Sequence, residues 1–219
     1  MANFDTIIQQ TTHPAFAESV AGQVRLNRRG EIVTPDFYQQ LVLDGRVYQI
    51  NNAAVETADA IGTTSFATNG TNPAIYVGVP SGTTIMPLEI RLAQGGTIAT
   101  DAFTTVIAFE DAALYSSSGT AKTPINLRTD RANTSVAVCY VSPTVTAPSD
   151  DASLHAGIYT QMVADPVHSD QSLYWSARDF LAPVLIGPAS LLVYAYTATV
   201  GPSFYWRVVW AEFATVSAK

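Results

Sequence analysis

The stretch LAPVLIGPASLLVYAYTATVGPSFYWRVVWAEF, residues 181–213, sets the fold class. Two long apolar runs, Leu181–Ala198 and Ser203–Phe213, are joined by Thr199-Val200-Gly201-Pro202, a connection with turn chemistry. In the second run Phe204, Trp206, Val208 and Trp210 fall on one face and Tyr205, Arg207, Val209 and Ala211 on the other, following the two-residue period of a strand. The first run is expected to bend at Gly187-Pro188, where a straight strand cannot continue. Both runs are apolar on both faces, and Tyr194, Tyr196, Phe204, Tyr205, Trp206 and Trp210 gather within 17 residues.

Working outward, the same alternation recurs between turn clusters. Asp36–Leu43 and Arg46–Ile50 flank Asp44-Gly45, a dipeptide that predicts a tight hairpin. Strands are expected over Ala74–Val79, Phe103–Glu110, Thr134–Val141 and Leu173–Arg178, with shorter ones at Ile125–Leu127 and Gly157–Val163. In Thr84–Ala93 the alternation places Met86, Leu88, Ile90 and Leu92 on one face. Asn51–Asn72 and Leu114–Thr120 read as connections. Many strands, long polar connections and almost no helical period predict an all-β, jelly-roll-like antiparallel β-sandwich over residues 37–219. Residues 1–36 have no sustained period and read as an irregular N-terminal arm.

Composition narrows the function classes. Of 219 residues 47% are hydrophobic and only 13% charged, about half the usual charged share, so part of the surface is expected to be covered by other subunits. No window approaches the roughly 18 uninterrupted apolar residues of a spanning helix, so no membrane partner is expected. The opening MANFDTIIQQTTHP has no basic segment followed by an apolar one, which predicts synthesis in a cytoplasm. The net charge of −7 argues against direct contact with nucleic acid, which needs a concentrated basic face. The one basic concentration is Arg25, Arg28 and Arg29.

Catalytic constellations are thin. The single cysteine, Cys139, sits in the apolar run SVAVCYV and reads as a core residue. There is no Gly-x-Ser-x-Gly elbow, and Gly95-Gly96 lacks the Lys and Ser/Thr of a phosphate loop. Asp165, His168 and Asp170 could in principle hold a divalent metal, and Asp150-Asp151 a calcium ion, but both clusters have the composition of ordinary loops. Glu89, Glu110 and Glu212 lie in strands, where each fits the polar half of the alternation. No enzyme activity, cofactor or metal is therefore expected.

The aromatic run points instead to protein contacts. A second aromatic face would be an aggregation hazard on a monomer and is ordinary content for a subunit interface. Tyr194, Tyr196, Tyr205 and Arg207 are the expected interface residues of a homo-oligomer, with a trimer the expected state.

A chain of this size and low charge, with an irregular arm and a jelly roll ending in LLVYAYTATVGPSFYWRVVWAEF, resembles the structural proteins of tailed-bacteriophage virions. The likeness is to capsid decoration (cement) and head-fibre proteins, and it is carried by the closing 35 or so residues. The resemblance implies a homotrimer on the capsid exterior, assembled in the bacterial host cytoplasm. Its partner would be the major capsid protein, with Arg25, Arg28 and Arg29 of the arm as the docking element. The alternative is a receptor- or carbohydrate-binding tip domain of a phage fibre, with Trp175 or Tyr159 stacking on sugar.

Overall fold

The computed structural model describes residues 36–54, 56–61, 70–95, 103–130, 133–148, 153–159, 172–197 and 203–215. Helix α1 (Phe37–Leu43) leads into β1 (Val47–Asn51), β2 (Ile75–Val79), β3 (Thr83–Gln94) and β4 (Phe103–Glu110). Short strands follow: β5 (Tyr115–Ser117), β6 (Thr120–Lys122), β7 (Ile125–Asn126), β8 (Val138–Val141) and β9 (Thr144–Val145). The chain then forms β10 (Ser153–Tyr159), β11 (Ser172–Ser176), β12 (Leu185–Ile186), β13 (Ala189–Thr197) and β14 (Phe204–Ala214).

Twelve of these strands make two antiparallel sheets, and β5 and β9 form a separate two-stranded ribbon. One runs in the order β11-β3-β14-β1-β7, with β12 also on β3, and the other in the order β10-β4-β13-β2-β8-β6. The first strand pairs with the last, β1 with β14, while β2 pairs with β13. β3 then flanks β14 and β4 flanks β13, so the chain is a long hairpin rolled into a sandwich, the connectivity of a jelly roll. The expected all-β, jelly-roll-like sandwich is the fold.

The inward positions of both sheets form one core, which includes Ile50, Ile75, Val77, Ile90, Leu92, Leu191, Val193, Phe204, Trp206, Val208 and Trp210. The expected inner face of the last strand is therefore correct at each of its four residues. The expected bend at Gly187-Pro188 is the corner where the chain changes sheets, since β12 pairs with β3 and β13 with β2 and β4. Only glycine fits there, because a Cβ on Gly187 would stand 2.0 Å from the carbonyl oxygen of Pro80.

Three local expectations are corrected. Residues 37–43 are a helix, not the first arm of a hairpin. Asp44-Gly45 ends that helix: Gly45 has φ 68°, its N–H donates to Val42 O (2.9 Å), and the Arg46 N–H donates to Leu41 O (3.0 Å). That pattern is a Schellman cap, which uses the same left-handed glycine as a tight β-turn. The second correction concerns β3. Val209 lies opposite Glu89 and Trp210 opposite Pro87, so Leu88 is an extra residue in a β-bulge. The bulge reverses the parity of the strand: Ile90 and Leu92 enter the core, whereas Met86 and Leu88 point outward. Residues 115–117, read as loop, form β5.

The chain covers much of its own outer surface. Helix α1 lays Leu41 on Val47, Val209 and Ala211, with Met86, Leu88 and Phe213 around them. On the other sheet, the ribbon of β5 and β9 sets Leu114 and Val145 over Tyr76, Val106, Ala108, Leu192 and Tyr194. One outer face is thus helix-covered over half its length, and the other is capped by a ribbon.

Candidate interaction surface

Where α1 stops, the outer face of the helix-bearing sheet carries a row of side chains read off the strand registers. Tyr174 on β11 lies opposite Arg91 on β3, Arg91 opposite Arg207 on β14, and Arg207 opposite Asn51 on β1. Their neighbours along each strand point inward: Leu173, Trp175, Ile90, Leu92, Trp206 and Val208 are all core residues. Alternation therefore forces the row outward. Arg91 and Arg207 are exposed, and Tyr174 is 51% exposed.

The electrostatics of this row are unbalanced. Two guanidinium groups sit directly opposite each other on neighbouring strands, a destabilising placement for like charges. Glu89 relieves one of them: Arg207 Nε donates to Glu89 Oε1 at 3.1 Å and Nη2 donates to the same oxygen. Of the other described cations, Lys122 pairs with Asp59, Arg128 with Asp130 and Arg178 with Asp36, while Arg46 lies over the Phe213 ring. Among the described residues Arg91 alone has neither a carboxylate nor a ring as partner. Tyr205 borders the row, its ring so close over Gly95 that a Cβ there would stand 2.5 Å from it.

A separate apolar edge lies further along β3, where Ile186 stands opposite Thr84. Beyond β11 the chain exposes Leu181 (94%), Val184 and Ile186 beside β3, where β12 replaces β11 as the neighbouring strand. This edge is fastened to the helix: the Tyr38 hydroxyl donates to Ala177 O at 2.9 Å, and Arg178 lies over the Tyr38 ring while pairing with Asp36.

The residues expected at a subunit interface are divided by the structure. Tyr205 and Arg207 belong to the row. Tyr194 does not face outward; it is 3% exposed, and its hydroxyl donates to Gly70 O at 2.7 Å beneath the ribbon. Burial, and then the charge of Glu110, push that hydroxyl's pKa well up. Tyr196 is half-buried on the same sheet. The ribbon explains the first, since it covers the second apolar face of β13 at Leu192 and Tyr194. Arg25, Arg28 and Arg29 lie outside the described residues, as do Asp150, Asp151, Asp165, His168 and Asp170. Arg91 and Tyr174 were not singled out from sequence, because nothing local announces that two distant strands bring arginines opposite each other.

Candidate chemistry is dispersed. Glu89 is engaged by Arg207, Glu110 is buried in the other sheet, and Glu212 accepts from Ser135 Oγ (2.6 Å) and the Val136 N–H (3.1 Å). Glu212 lines a cleft of about 440 Å³ with Asp44, Arg46, Tyr48 and Asn133, and Asp44 is itself held by Gln40. No group of three or more His, Cys, Asp or Glu side chains converges to hold a metal among the described residues. Trp175, considered for stacking on sugar, is 1% exposed and packed in the core, so it offers no ring to a ligand. Side chains over 153–159, Tyr159 among them, lie outside the description.

Compared with known proteins, the chain matches no family model, no curated protein and no solved structure.

Proposed function

We propose that this chain is a non-enzymatic structural protein that docks as an oligomer on a larger protein shell, in the manner of the phage head decoration proteins it resembles. Jelly rolls serve capsids, lectins and enzymes alike, so the fold does not choose among these roles. The observation that carries the reading is the bare outer face of the helix-bearing sheet. It exposes Arg91, Arg207 and Tyr174, and further along β3 the same sheet exposes Leu181, Val184 and Ile186 at its edge. Arginine, tyrosine and aliphatic side chains together are the composition of a protein–protein contact.

The mechanism is mechanical: a decorating oligomer bridges neighbouring major capsid subunits on the outside of the head, and each added contact opposes expansion of the shell. The arm with Arg25, Arg28 and Arg29 supplies bidentate donors for carboxylates on that surface. The test mixes purified protein with undecorated heads and scores co-sedimentation for the full chain and for a chain lacking residues 1–35. Binding by the full chain and loss on deletion are expected. Equal binding by both removes the arm from the mechanism, and no binding by either, with binding on a glycan array, replaces the proposal with the fibre-tip reading.

A further inference from the structure

Among the described residues the Arg91–Arg207 pair has one counter-charge, that of Glu89. Glu89 satisfies Arg207, and no described side chain satisfies Arg91. Arg91 is not left in a solvated loop, where an unpaired cation is unremarkable. It is fixed in the middle of a sheet, with Tyr174 opposite on one side, Arg207 opposite on the other, and Tyr205 one step along β14. An incoming carboxylate there meets the open guanidinium of Arg91, flanked by Tyr174 on β11 and Arg207 on β14.

The same chain carries the complementary charges. Its net charge is −7, and the exposed carboxylates of Glu56, Asp111 and Asp179 form no hydrogen bond or ion pair with any described residue. Asp111 follows β4 in the opposite sheet, and Asp179 stands in the turn after β11. A twofold contact centred on the row would press Arg91 against its own symmetry mate, a like-charge clash with only Glu89 near, which Arg207 already engages. A heterologous contact avoids that clash, because it sets the row of one copy against a different, acidic surface of the next. Such contacts close into a ring where the rotation closes.

We infer that the Tyr174–Arg91–Arg207–Asn51 row is a self-docking site, filled by an exposed carboxylate of a second copy of this chain in a head-to-side arrangement. The inference rests on the structural-assembly reading above and locates the oligomer contact.

The test is sedimentation velocity on the full chain from about 1 to 100 μM, at about 50 and 500 mM salt. Concentration-dependent association is expected, weakened by salt. Arg91→Glu should weaken it by about tenfold or more, while Arg91→Lys retains most of it and Val138→Ser, on the other sheet, leaves it unchanged. Circular dichroism melting of each variant verifies the fold. In the Arg91→Glu background, one of Glu56→Arg, Asp111→Arg or Asp179→Arg should restore association. A monomer at every concentration, association indifferent to Arg91→Glu, or rescue by none of the three overturns the inference. Head binding measured in parallel separates the two readings. A monomer that still decorates heads overturns only the self-docking site, and a self-associating chain that never binds heads overturns only the decoration role.

Discussion

Replacing Ser190 with alanine is expected to release the outer ribbon from its sheet. Ser190 is fully buried on β13, and its Oγ sits at the centre of a small polar network. It donates to Ala112 O at 2.7 Å, accepts from the Leu114 N–H at 3.1 Å, and lies 3.2 Å from the Tyr76 hydroxyl, which in turn accepts from the Tyr115 N–H at 3.3 Å. A hydroxyl has one proton, and Ala112 O can only accept, so the Tyr76 proton points at Ser190 Oγ. Ser190→Ala thus strands one buried N–H, one carbonyl and one phenol in a single step. Each stranded buried group costs about 1–3 kcal/mol, and rewetting at the half-buried Ala112 leaves two such groups, a sum of about 2–6 kcal/mol. That is a large share of the roughly 5–15 kcal/mol that holds a domain folded. Urea unfolding should show a lower midpoint at unchanged slope. Hydrogen exchange should show the earliest loss of protection at Leu114 and Tyr115, ahead of β2 and β13. A loss below about 1 kcal/mol, or exchange that accelerates in the core and not in the ribbon, would refute the claim that this hydroxyl anchors the ribbon.

Gly45→Ala should cost about 1 kcal/mol, since φ of 68° in the helix cap burdens any residue with a Cβ; an unchanged urea midpoint would contradict the cap. Leu88→Ala should fold with a loss of about 1–3 kcal/mol, and deletion of Leu88 should also fold, because it removes the one residue without a partner on β14 and leaves residues 83–87 on their present faces. A deletion variant that fails to fold would show that Leu88 is not the extra residue of the bulge. Cys139 should resist thiol reagents in the native state and react after unfolding, because burial, and then the charge of Glu212, push its thiol pKa up. The folded state then favours the neutral thiol, so the stability this provides is intact below the unfolded thiol's pKa of about 8.5 and declines as pH rises beyond it. Native-state labelling at neutral pH would contradict its burial.

How much of this was legible in the sequence follows from how far each signal reaches. Alternation is local, so the inner face of β14 was readable residue by residue, and the Gly187-Pro188 bend was readable because neither residue sustains a ladder. The Asp44-Gly45 error arose because the hairpin and the Schellman cap both need a left-handed glycine; the separating clue was the Tyr38–Leu41–Val42 spacing of a helical face. The bulge at Leu88 was hidden by its own composition, since Met86, Leu88, Ile90 and Leu92 read equally well as one face. Only the partner strand, with Val209 opposite Glu89 and Trp210 opposite Pro87, shows the extra residue.

The candidate surface was half legible for the same reason, and the half that was missed changes the argument. From sequence, two strands apolar on both faces implied that a neighbour must cover the second face. The structure supplies that cover from within: α1 takes Val209 and Ala211, and the ribbon takes Leu192 and Tyr194. The apolar case for a partner is accordingly smaller than the sequence suggested, and the charged case is larger. What is left bare is the part of the sheet that the chain's own cover does not reach, and there the unbalanced Arg91 beside Arg207 marks the gap. A hydrophobic surplus can be buried by any spare segment of the same chain. A guanidinium held in place on a sheet, with no described carboxylate on it, offers bidentate donors at a defined place, and that geometry is the more specific pointer to a second molecule.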